Sequence, residues 1–252
     1  MRRTLVGLLP LCLLATACGT SARHQALLER REAIRTSNDA FAAEELANFR
    51  GTSGFQETRW GMSPDEVRAL YPEARTTSSE GDLRVATRVT ERPATVDFKF
   101  TLNKLAAVSL RFDTDAPLRE DFGALSELLS MKYGAPTSRR DTAEDAEERL
   151  RGAESYNRSL GEGTRYSRTT GDDHAYEERL RIDALAAKTD YQLEKTWKDS
   201  ETKLQLSGWQ QPDDSKQLTL DYVSRYLEPH LSKRSATQDL DLERKREQTR
   251  EL

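Results

Sequence analysis

The thiol of Cys18 is the side chain whose position in the sequence most clearly indicates chemistry. It follows Ala15-Thr16-Ala17, three small residues of the kind that precede a secretory cleavage site. Upstream lie Arg2-Arg3 and an apolar run at residues 5–14, which is much shorter than the roughly 20 residues needed to span a bilayer. Residues 1–17 are therefore predicted to be a secretory signal, and its removal would make Cys18 the first mature residue.

The sequence Leu14-Ala15-Thr16-Ala17-Cys18-Gly19 resembles the lipobox of bacterial lipoproteins. In that family the cysteine is diacylated and the leader is then cleaved, so the resemblance implies lipidation of Cys18. Because Gly19 is not the aspartate that commonly retains such proteins at the inner membrane, the resemblance also implies an outer-membrane location facing the periplasm. Each buried methylene contributes about 0.8 kcal/mol, so the acyl chains would hold the protein on the membrane almost permanently.

Two alternatives stay open at this leader. Ala15-Thr16-Ala17 also fits an ordinary A-x-A cleavage site, which would leave Cys18 as the unlipidated first residue of a soluble protein. Under the lipoprotein interpretation, display on the outer surface of the cell is a second alternative to a periplasmic orientation.

Cysteine content and charge limit the class of protein further. Cys12 leaves with the leader, so we expect no intramolecular disulfide in the mature chain. Without Arg2-Arg3, 37 basic residues stand against 43 acidic ones, a formal charge of about −6 that argues against nucleic-acid binding. Charged residues make up 33% of the chain and hydrophobic ones 36%, which indicates one modest domain with solvated segments.

We find no catalytic or metal-binding motif in the sequence. His24, His174 and His230 are scattered, and no zinc, nucleophile-elbow or phosphate-loop pattern occurs. Asp172-Asp173-His174 comes closest to a metal cluster, but an exposed acidic loop is the simpler interpretation. We therefore expect a non-enzymatic protein with no catalytic residue, metal or cofactor.

Three tryptophans, Trp60, Trp197 and Trp209, are the candidates for a binding surface. Their large rings, each with one hydrogen-bond donor, would suit a groove on a sheet. Tryptophan at a helix entrance or on an amphipathic strand is more often part of the core, and this alternative stays open. Any site is expected on the uncovered face of the sheet, and a sheet edge can also accept a strand from another protein.

The region after the leader is predicted to be helical, since residues 21–49 contain neither glycine nor proline. Apolar residues recur there at heptad spacing: Leu27, Ile34 and Phe41. Ser37-Asn38-Asp39 offers a cap that would divide this region into two helices. Residues 18–50 are interpreted as a lipid anchor and helical spacer, with a coiled-coil contact to a partner as the alternative. Gly51-Thr52-Ser53-Gly54 is interpreted as a flexible joint.

Residues 51–231 are predicted to form a single α+β domain. Ser63-Pro64-Asp65-Glu66 has the pattern of a capping box with proline at the first helical position, so a helix is expected to begin at Pro64 and to end at Pro72. A second helix is expected at about residues 120–133, where apolar residues recur at helical spacing before a glycine.

Six segments alternate apolar and polar residues and are predicted to be strands. They are residues 83–89, 96–100, 106–112, 191–197, 204–206 and 218–222. We expect an antiparallel sheet with one apolar face that the two helices cover. A helix followed by three strands occurs twice, from Pro64 and from Glu120, which predicts a degenerate internal repeat.

Two short segments resemble small envelope lipoproteins of the SmpA/OmlA type: Gly61-Met62-Ser63-Pro64-Asp65-Glu66-Val67 and Lys132-Tyr133-Gly134-Ala135-Pro136. The resemblance implies a role in barrel assembly, and tandem copies of such units make an inhibitor-like fold. This chain departs from the family in its length, in a charged insertion at about residues 137–188, and in its two helix–strand units. The charged tail, residues 232–252, is expected to be a solvated helix or disordered.

These features predict a lipid-anchored, non-enzymatic envelope lipoprotein that acts as a periplasmic protein-binding or scaffold and assembly module. An inhibitor or immunity-type protein that blocks an enzyme is the alternative, and an envelope hydrolase is a third hypothesis. The expected partners are the membrane, through acyl chains on Cys18, and an envelope protein, but not nucleic acid.

Overall fold

The computed structural model describes residues 15–163 and 171–250. The chain divides into two compact units, Met1–Phe49 and Arg50–Leu252. In the first unit the described residues form one helix, α1 (Ala15–Asn48). Cys18 falls within α1, and its side chain lies outside the described part of the chain. No helix among the described residues combines the length and the apolar character needed to cross a bilayer.

Helix α1 continues through Ser37-Asn38-Asp39, so the expected break at this point is wrong. Asp39 pairs along the helix with Arg35, at 4.0 Å between Nε and Oδ2, instead of capping a new helix. Such i,i+4 pairs support the continuous helix. The side chains of the heptad stripe, Leu27, Ile34 and Phe41, are all exposed.

The second unit is an α+β structure built on one eight-stranded antiparallel sheet, which confirms the predicted fold class at this level. Its strands lie in the order β1-β2-β3-β4-β8-β7-β6-β5. Its elements in chain order are α2 (Pro64–Leu70), β1 (Arg75–Thr76), β2 (Leu83–Val89), β3 (Arg92–Thr101), β4 (Lys104–Phe112), α3 (Leu118–Tyr133), β5 (Ser138–Asp141), α4 (Thr142–Gly163), α5 (Gly171–Ala186), β6 (Tyr191–Lys198), β7 (Thr202–Gln210), β8 (Lys216–Ser224) and α6 (Glu228–Arg250).

The six predicted strands correspond to β2, β3, β4, β6, β7 and β8, and two further strands were not predicted. β1 and β5 are two and four residues long, too short to show a period of two. Residues 138–141 were assigned to the charged insertion, but they pair with β6 and belong to the sheet. The insertion therefore starts at Thr142, and its described part consists of α4 and α5, which contact each other.

The core lies on one face of the sheet. Val96, Leu110, Leu220 and Leu206 stand opposite one another on four neighbouring strands and are nearly fully buried. Burying such a side chain contributes about 1.5–3 kcal/mol. α3 packs against β6, β7 and β8, and a Cβ atom built at Gly208 would lie 3.2 Å from Cδ1 of Leu118. The core therefore leaves no space for a larger residue at that point of β7.

The start of α2 has the predicted capping box. The amide of Glu66 donates to Oγ of Ser63 at 3.3 Å, and the amide of Ser63 donates to Oε2 of Glu66 at 2.6 Å. The backbone hydrogen bond from Ser63 lowers the pKa of Glu66 below its usual value. At the other end of this helix, the ring of Tyr71 lies 4.9 Å from that of Phe98, between centroids, in the core.

Residues 51–54 are held in place, so the expected flexible joint is wrong. The carboxylate of Glu201 accepts hydrogen bonds from the amides of Thr52 and Ser53, at 2.9 and 2.8 Å, and from both of their hydroxyls, at 3.0 and 2.9 Å. Burial raises the pKa of Glu201, but these hydrogen bonds outweigh burial and the pKa lies below its usual value. Gly54 approaches the backbone so closely that a Cβ atom would lie 2.2 Å from the carbonyl oxygen of Thr58.

The charged tail forms α6, one of the two forms expected for it. Arg234 attaches this helix to the sheet by donating to Asp82, at 2.9 Å, and to the carbonyl oxygen of Phe100. Burial raises the pKa of Asp82, but the hydrogen bonds from Arg234 and from the amide of Phe100, together with the charge of Arg234, lower it by more, so this pKa lies below its usual value. Most of the described side chains beyond Arg234 are exposed.

Candidate functional site

The three tryptophans do not line one surface. Trp60 and Trp197 are 0% and 1% exposed, and each indole nitrogen donates inside the protein. Trp60 binds Oγ1 of Thr202 at 3.0 Å, and Trp197 binds the carbonyl oxygen of Gly134 at 3.1 Å. The alternative interpretation as core residues applies to these two, because both rings are buried inside the domain. Trp209 is 37% exposed and remains a candidate for a binding surface.

The face of the sheet opposite the core is polar, and we call it the open face. Its side chains line a groove of ≈ 460 Å³ that extends from β2 to β7. The groove is lined by Thr77, Asp82, Arg84, Asp97, Lys99, Ser109, Arg111, Trp209, Gln217, Thr219 and Asp221. Arg84, Asp97, Ser109 and Asp221 stand opposite one another on four adjacent strands, so they form one row across the sheet.

The β2–β4 half of the open face carries an ion-pair network centred on Asp97. Arg84 donates to both oxygens of Asp97, at 2.5 and 3.1 Å, and Arg111 adds a contact of 3.1 Å. The hydrogen bond to Asp97 raises the pKa of Arg84. Because both arginines are about half exposed, the network adds little to stability, but it fixes the positions of two guanidinium groups.

The β8–β7 half of the open face carries one carboxylate, Asp221, next to β4 and neutral polar groups around Trp209. Ser109 donates to Oδ1 of Asp221, and Thr219 follows in the next row. Trp209 lies between two glutamines, Gln217 of β8 and Gln192 of β6. Trp209 shares the groove with two arginines in fixed positions, and tryptophan and arginine are residue types enriched in protein–protein hot spots.

A second cavity, of ≈ 950 Å³, lies beside the outer edge of β2, and we call it the edge cavity. It is lined by residues 72–77 and by Arg84, Val85 and Ala86. Thr77 and Arg84 also line the groove of the open face, so the groove and the edge cavity form one continuous surface. β1 pairs with Leu83 and Arg84, and residues 85–89 have no strand partner on that side in the described part of the chain.

The opposite edge of the sheet is covered. β5 pairs with residues 193–196 of β6, and the amide of Thr137 donates to the carbonyl oxygen of Thr196 at 2.7 Å. The amide of Gln192 donates to Oγ1 of Thr142 at 2.8 Å, which continues the cover beyond the end of β5. α4 contacts β6 as well. In the described part of the chain, β6 is therefore covered along a longer stretch than β2 is at the opposite edge.

A third cavity, of ≈ 440 Å³, lies between α4 and α5, near Leu150 and Ala184. Among the described side chains, no group of three or more His, Cys, Asp or Glu residues is placed to hold a metal ion. The side chains of Asp172-Asp173-His174 lie outside that described set. Every buried polar side-chain atom in the described residues has a hydrogen-bond partner.

No protein-family model matches this chain, and no curated protein or solved structure shows a significant similarity to it.

Part of this site was accessible from the sequence. The period of two that placed Val96 and Phe98 in the core also places Asp97 on the other side of the strand. The sequence contained no signal that β4 lies beside β8, so it did not show that Ser109 meets Asp221. The short strand β1, which leaves most of the β2 edge uncovered, was not predicted either.

Proposed function

We propose that this chain is a lipid-anchored, non-enzymatic envelope protein that binds another protein through its open face. The observation that carries the proposal is the exposed Trp209 beside a groove whose arginines, Arg84 and Arg111, are held in fixed positions. Exposed aromatic and arginine side chains on a preformed surface supply most of the binding energy in protein interfaces. Such a module would act in scaffolding or assembly, including the barrel assembly that the family resemblance implies.

The membrane anchor in this proposal is Cys18, lipidated after removal of residues 1–17. The lipobox-like sequence and the absence of aspartate at Gly19 support an outer-membrane location facing the periplasm. We expect Cys18→Ala to move the protein from the membrane fraction to the soluble fraction. We expect Gly19→Asp to move it to the inner membrane. Retention of Cys18→Ala on the membrane would contradict the anchor, and so would a bare thiol at the processed N-terminus by mass spectrometry.

We also infer that the domain is a degenerate repeat of one unit, in which a helix is followed by a short edge strand and three longer strands. Support comes from the two series α2-β1-β2-β3-β4 and α3-β5-β6-β7-β8, which lie in mirrored order across the sheet. In this arrangement α2 and α3 would each cover the apolar face of their own half. Val67 of α2 and Leu125 of α3 are buried, as this arrangement requires.

Site-specific photo-crosslinking in living cells tests the binding face. A benzophenone amino acid placed at position 209 is expected to cross-link a specific envelope protein. The matched control carries the same group at Met131 of α3, which is 71% exposed but lies away from the open face. Equal products from both positions, or none from position 209, would refute the open face as the binding surface.

The alternative function, an inhibitor that blocks an enzyme with a strand loop, has one observation in its favour. Leu102 at the turn between β3 and β4 is 60% exposed, and both turn residues, Leu102 and Asn103, have positive φ angles (51° and 59°). An apolar side chain on such a tight turn is suited to entering a cleft. The inhibitor hypothesis predicts that the purified chain lowers a hydrolase activity of periplasmic extracts and that Leu102→Asp does not.

A further inference from the structure

We infer that the outer edge of β2 accepts an extended segment of the protein partner, which adds to the sheet as a ninth strand beside residues 85–89 and alternates apolar with acidic residues. This inference rests on the proposed function, because it specifies how a protein partner of the open face would be held. The edge cavity provides space beside the first part of this edge, at Val85 and Ala86, and it shares Thr77 and Arg84 with the groove of the open face.

The hydrogen-bonding pattern of β2 shows which backbone groups face this edge. The amide of Thr77 donates to the carbonyl oxygen of Asp82 at 2.8 Å, so bonded positions on the β1 side recur at every second residue from Asp82. The backbone amide and carbonyl groups of Arg84, Ala86 and Arg88 therefore point away from β3, toward the β1 side.

The turn at the other end of β2 gives the same result independently. Thr90 and Glu91 both have positive φ angles and form a two-residue turn closed by Val89 and Arg92. In such a turn the closing pair is hydrogen-bonded, so Val89 and every second residue before it bond to β3. Ala86 and Arg88 then have their amides on the outer side. In the described part of the chain, β1 pairs only with Leu83 and Arg84, and no loop or turn carbonyl accepts a hydrogen bond from these two amides.

The side chains along this edge determine which segment fits. Arg88 is exposed on the open-face side of β2, and Arg75 is exposed on the same side of β1. Thr87 and Val89 point to the core side and are half-buried. Because directly opposed pairs of opposite charge stabilise a sheet, the added strand should place acidic residues beside the arginines and apolar residues between them.

A second copy of the same chain does not fit this edge. Pairing residues 85–89 with the same residues of another copy so that Arg88 opposes Arg88 would place like charges together, and like charges at opposed positions destabilise a sheet. Exposed arginines of this kind also protect a sheet edge against association. The arginines of this edge thus disfavour pairing with a second copy and favour pairing with a segment of opposite charge.

Hydrogen–deuterium exchange of the purified full chain in detergent tests the inference, with synthetic peptides as probes. A nine-residue peptide of alternating valine and glutamate is expected to slow exchange at residues 85–89. A valine–lysine peptide of the same length is the charge control. Two further valine–glutamate peptides carry N-methyl groups on alternate amides, one set on each edge of the strand, and only one of the two is expected to bind.

Two matched variants test the same contact from the side of the protein. Ala86→Pro removes one outward amide without removing a bond to β3, whereas Ala86→Ser keeps it. We expect Ala86→Pro to bind the valine–glutamate peptide about fivefold more weakly, the size expected for one lost hydrogen bond, and Ala86→Ser to bind it unchanged. Arg88→Glu should reverse the preference between the glutamate and lysine peptides.

Equal binding by Ala86→Pro and Ala86→Ser would overturn the inference, and so would equal protection by all four peptides or protection by none. If Ala86→Pro does not fold, the pair of N-methylated peptides decides the question without a variant. A partner that cross-links to position 209 while no peptide protects β2 would leave the proposed function standing and remove this inference. If position 209 gives no cross-link and no peptide protects β2, both the proposed function and this inference are refuted.

Discussion

At the β5 edge of the sheet, a four-residue strand, the hydroxyl of Thr142 and helix α4 cover the outer side of β6 from Gln192 to Thr196. At the β1 edge, a two-residue strand covers β2 only at Leu83 and Arg84. Both edges begin with a helix and a short strand. The difference arises from the charged insertion, which follows β5 and has no counterpart after β1.

This comparison shows how a sheet can protect one edge and keep the other available. An unpaired strand edge promotes association, and proteins block it with helices, loops or charged side chains. At the β5 edge, β6 is covered by β5, Thr142 and α4. At the β1 edge, the uncovered residues of β2 are protected only by the charge of exposed arginines, which repel the same arginines of a second copy. An insertion that looks like a solvated appendage in the sequence therefore has a structural role at one edge.

Removing the cover of the β5 edge is expected to have the largest effect. Replacing residues 143–188 with a short linker keeps β5 and should leave a monomer with cooperative unfolding, because Oγ1 of Thr142 already lies 2.8 Å from the amide of Gln192. Replacing residues 137–188 removes β5 as well and should cause association through β6. Analytical ultracentrifugation and thermal melting distinguish the two deletions. A monomeric 137–188 deletion would show that β5 does not protect this edge.

The core beneath the covered edge is expected to respond next most strongly. Trp197 of β6 is 1% exposed and binds the carbonyl oxygen of Gly134, so Trp197→Ala should cost about 3–5 kcal/mol in the free energy of unfolding. Trp209 of the neighbouring strand is exposed, and Trp209→Ala should cost less than about 1 kcal/mol while abolishing partner binding. Urea denaturation measures both. Similar losses for the two variants would contradict their assignment to core and surface.

One carboxylate near each edge should make stability depend on pH. Burial raises the pKa of Asp141 and of Asp82, but the hydrogen bonds and charge of Arg119 and Arg234, together with backbone hydrogen bonds, outweigh burial, so both pKa values lie below the usual one. Their contribution is present above the unfolded-state pKa and is lost as pH falls through the folded-state value. Asp141→Asn and Asp82→Asn should each cost about 1–3 kcal/mol at pH 7 and flatten this acid dependence, measured by urea denaturation at several pH values. An unchanged acid dependence in both variants would refute this role.

The smallest effect on folding is expected at the open edge itself. Arg88→Val removes an exposed charge from β2 and should change the free energy of unfolding by no more than about 0.5 kcal/mol. The same change should increase self-association at high concentration, because the edge loses its repulsion. Arg88→Lys is the control that keeps the charge. Light scattering over a concentration series measures self-association. A valine variant that stays monomeric would contradict the protective role of Arg88.

Local patterns predicted much of the fold but less of the candidate site. The alternation at Val96, Phe98 and Leu110 and the capping box at Ser63 depend on residues that are close in the sequence, and both appear in the structure as predicted. β1 and β5 were missed because two to four polar residues carry no period. The prediction of a flexible joint at residues 51–54 was wrong because these residues donate hydrogen bonds to Glu201, which lies 148 positions beyond Ser53.

The sequence by itself determined where the long strands and the two predicted helices of the domain lie, since propensity, capping and side-chain alternation act over a few residues. Only the tertiary structure decided that β4 pairs with β8, that Trp60 and Trp197 are buried while Trp209 is exposed, and that one sheet edge stays uncovered. These features depend on contacts such as that between Ser109 and Asp221, which are 112 positions apart. No local pattern specifies such pairs, because the free energy that selects them comes from packing the whole sheet.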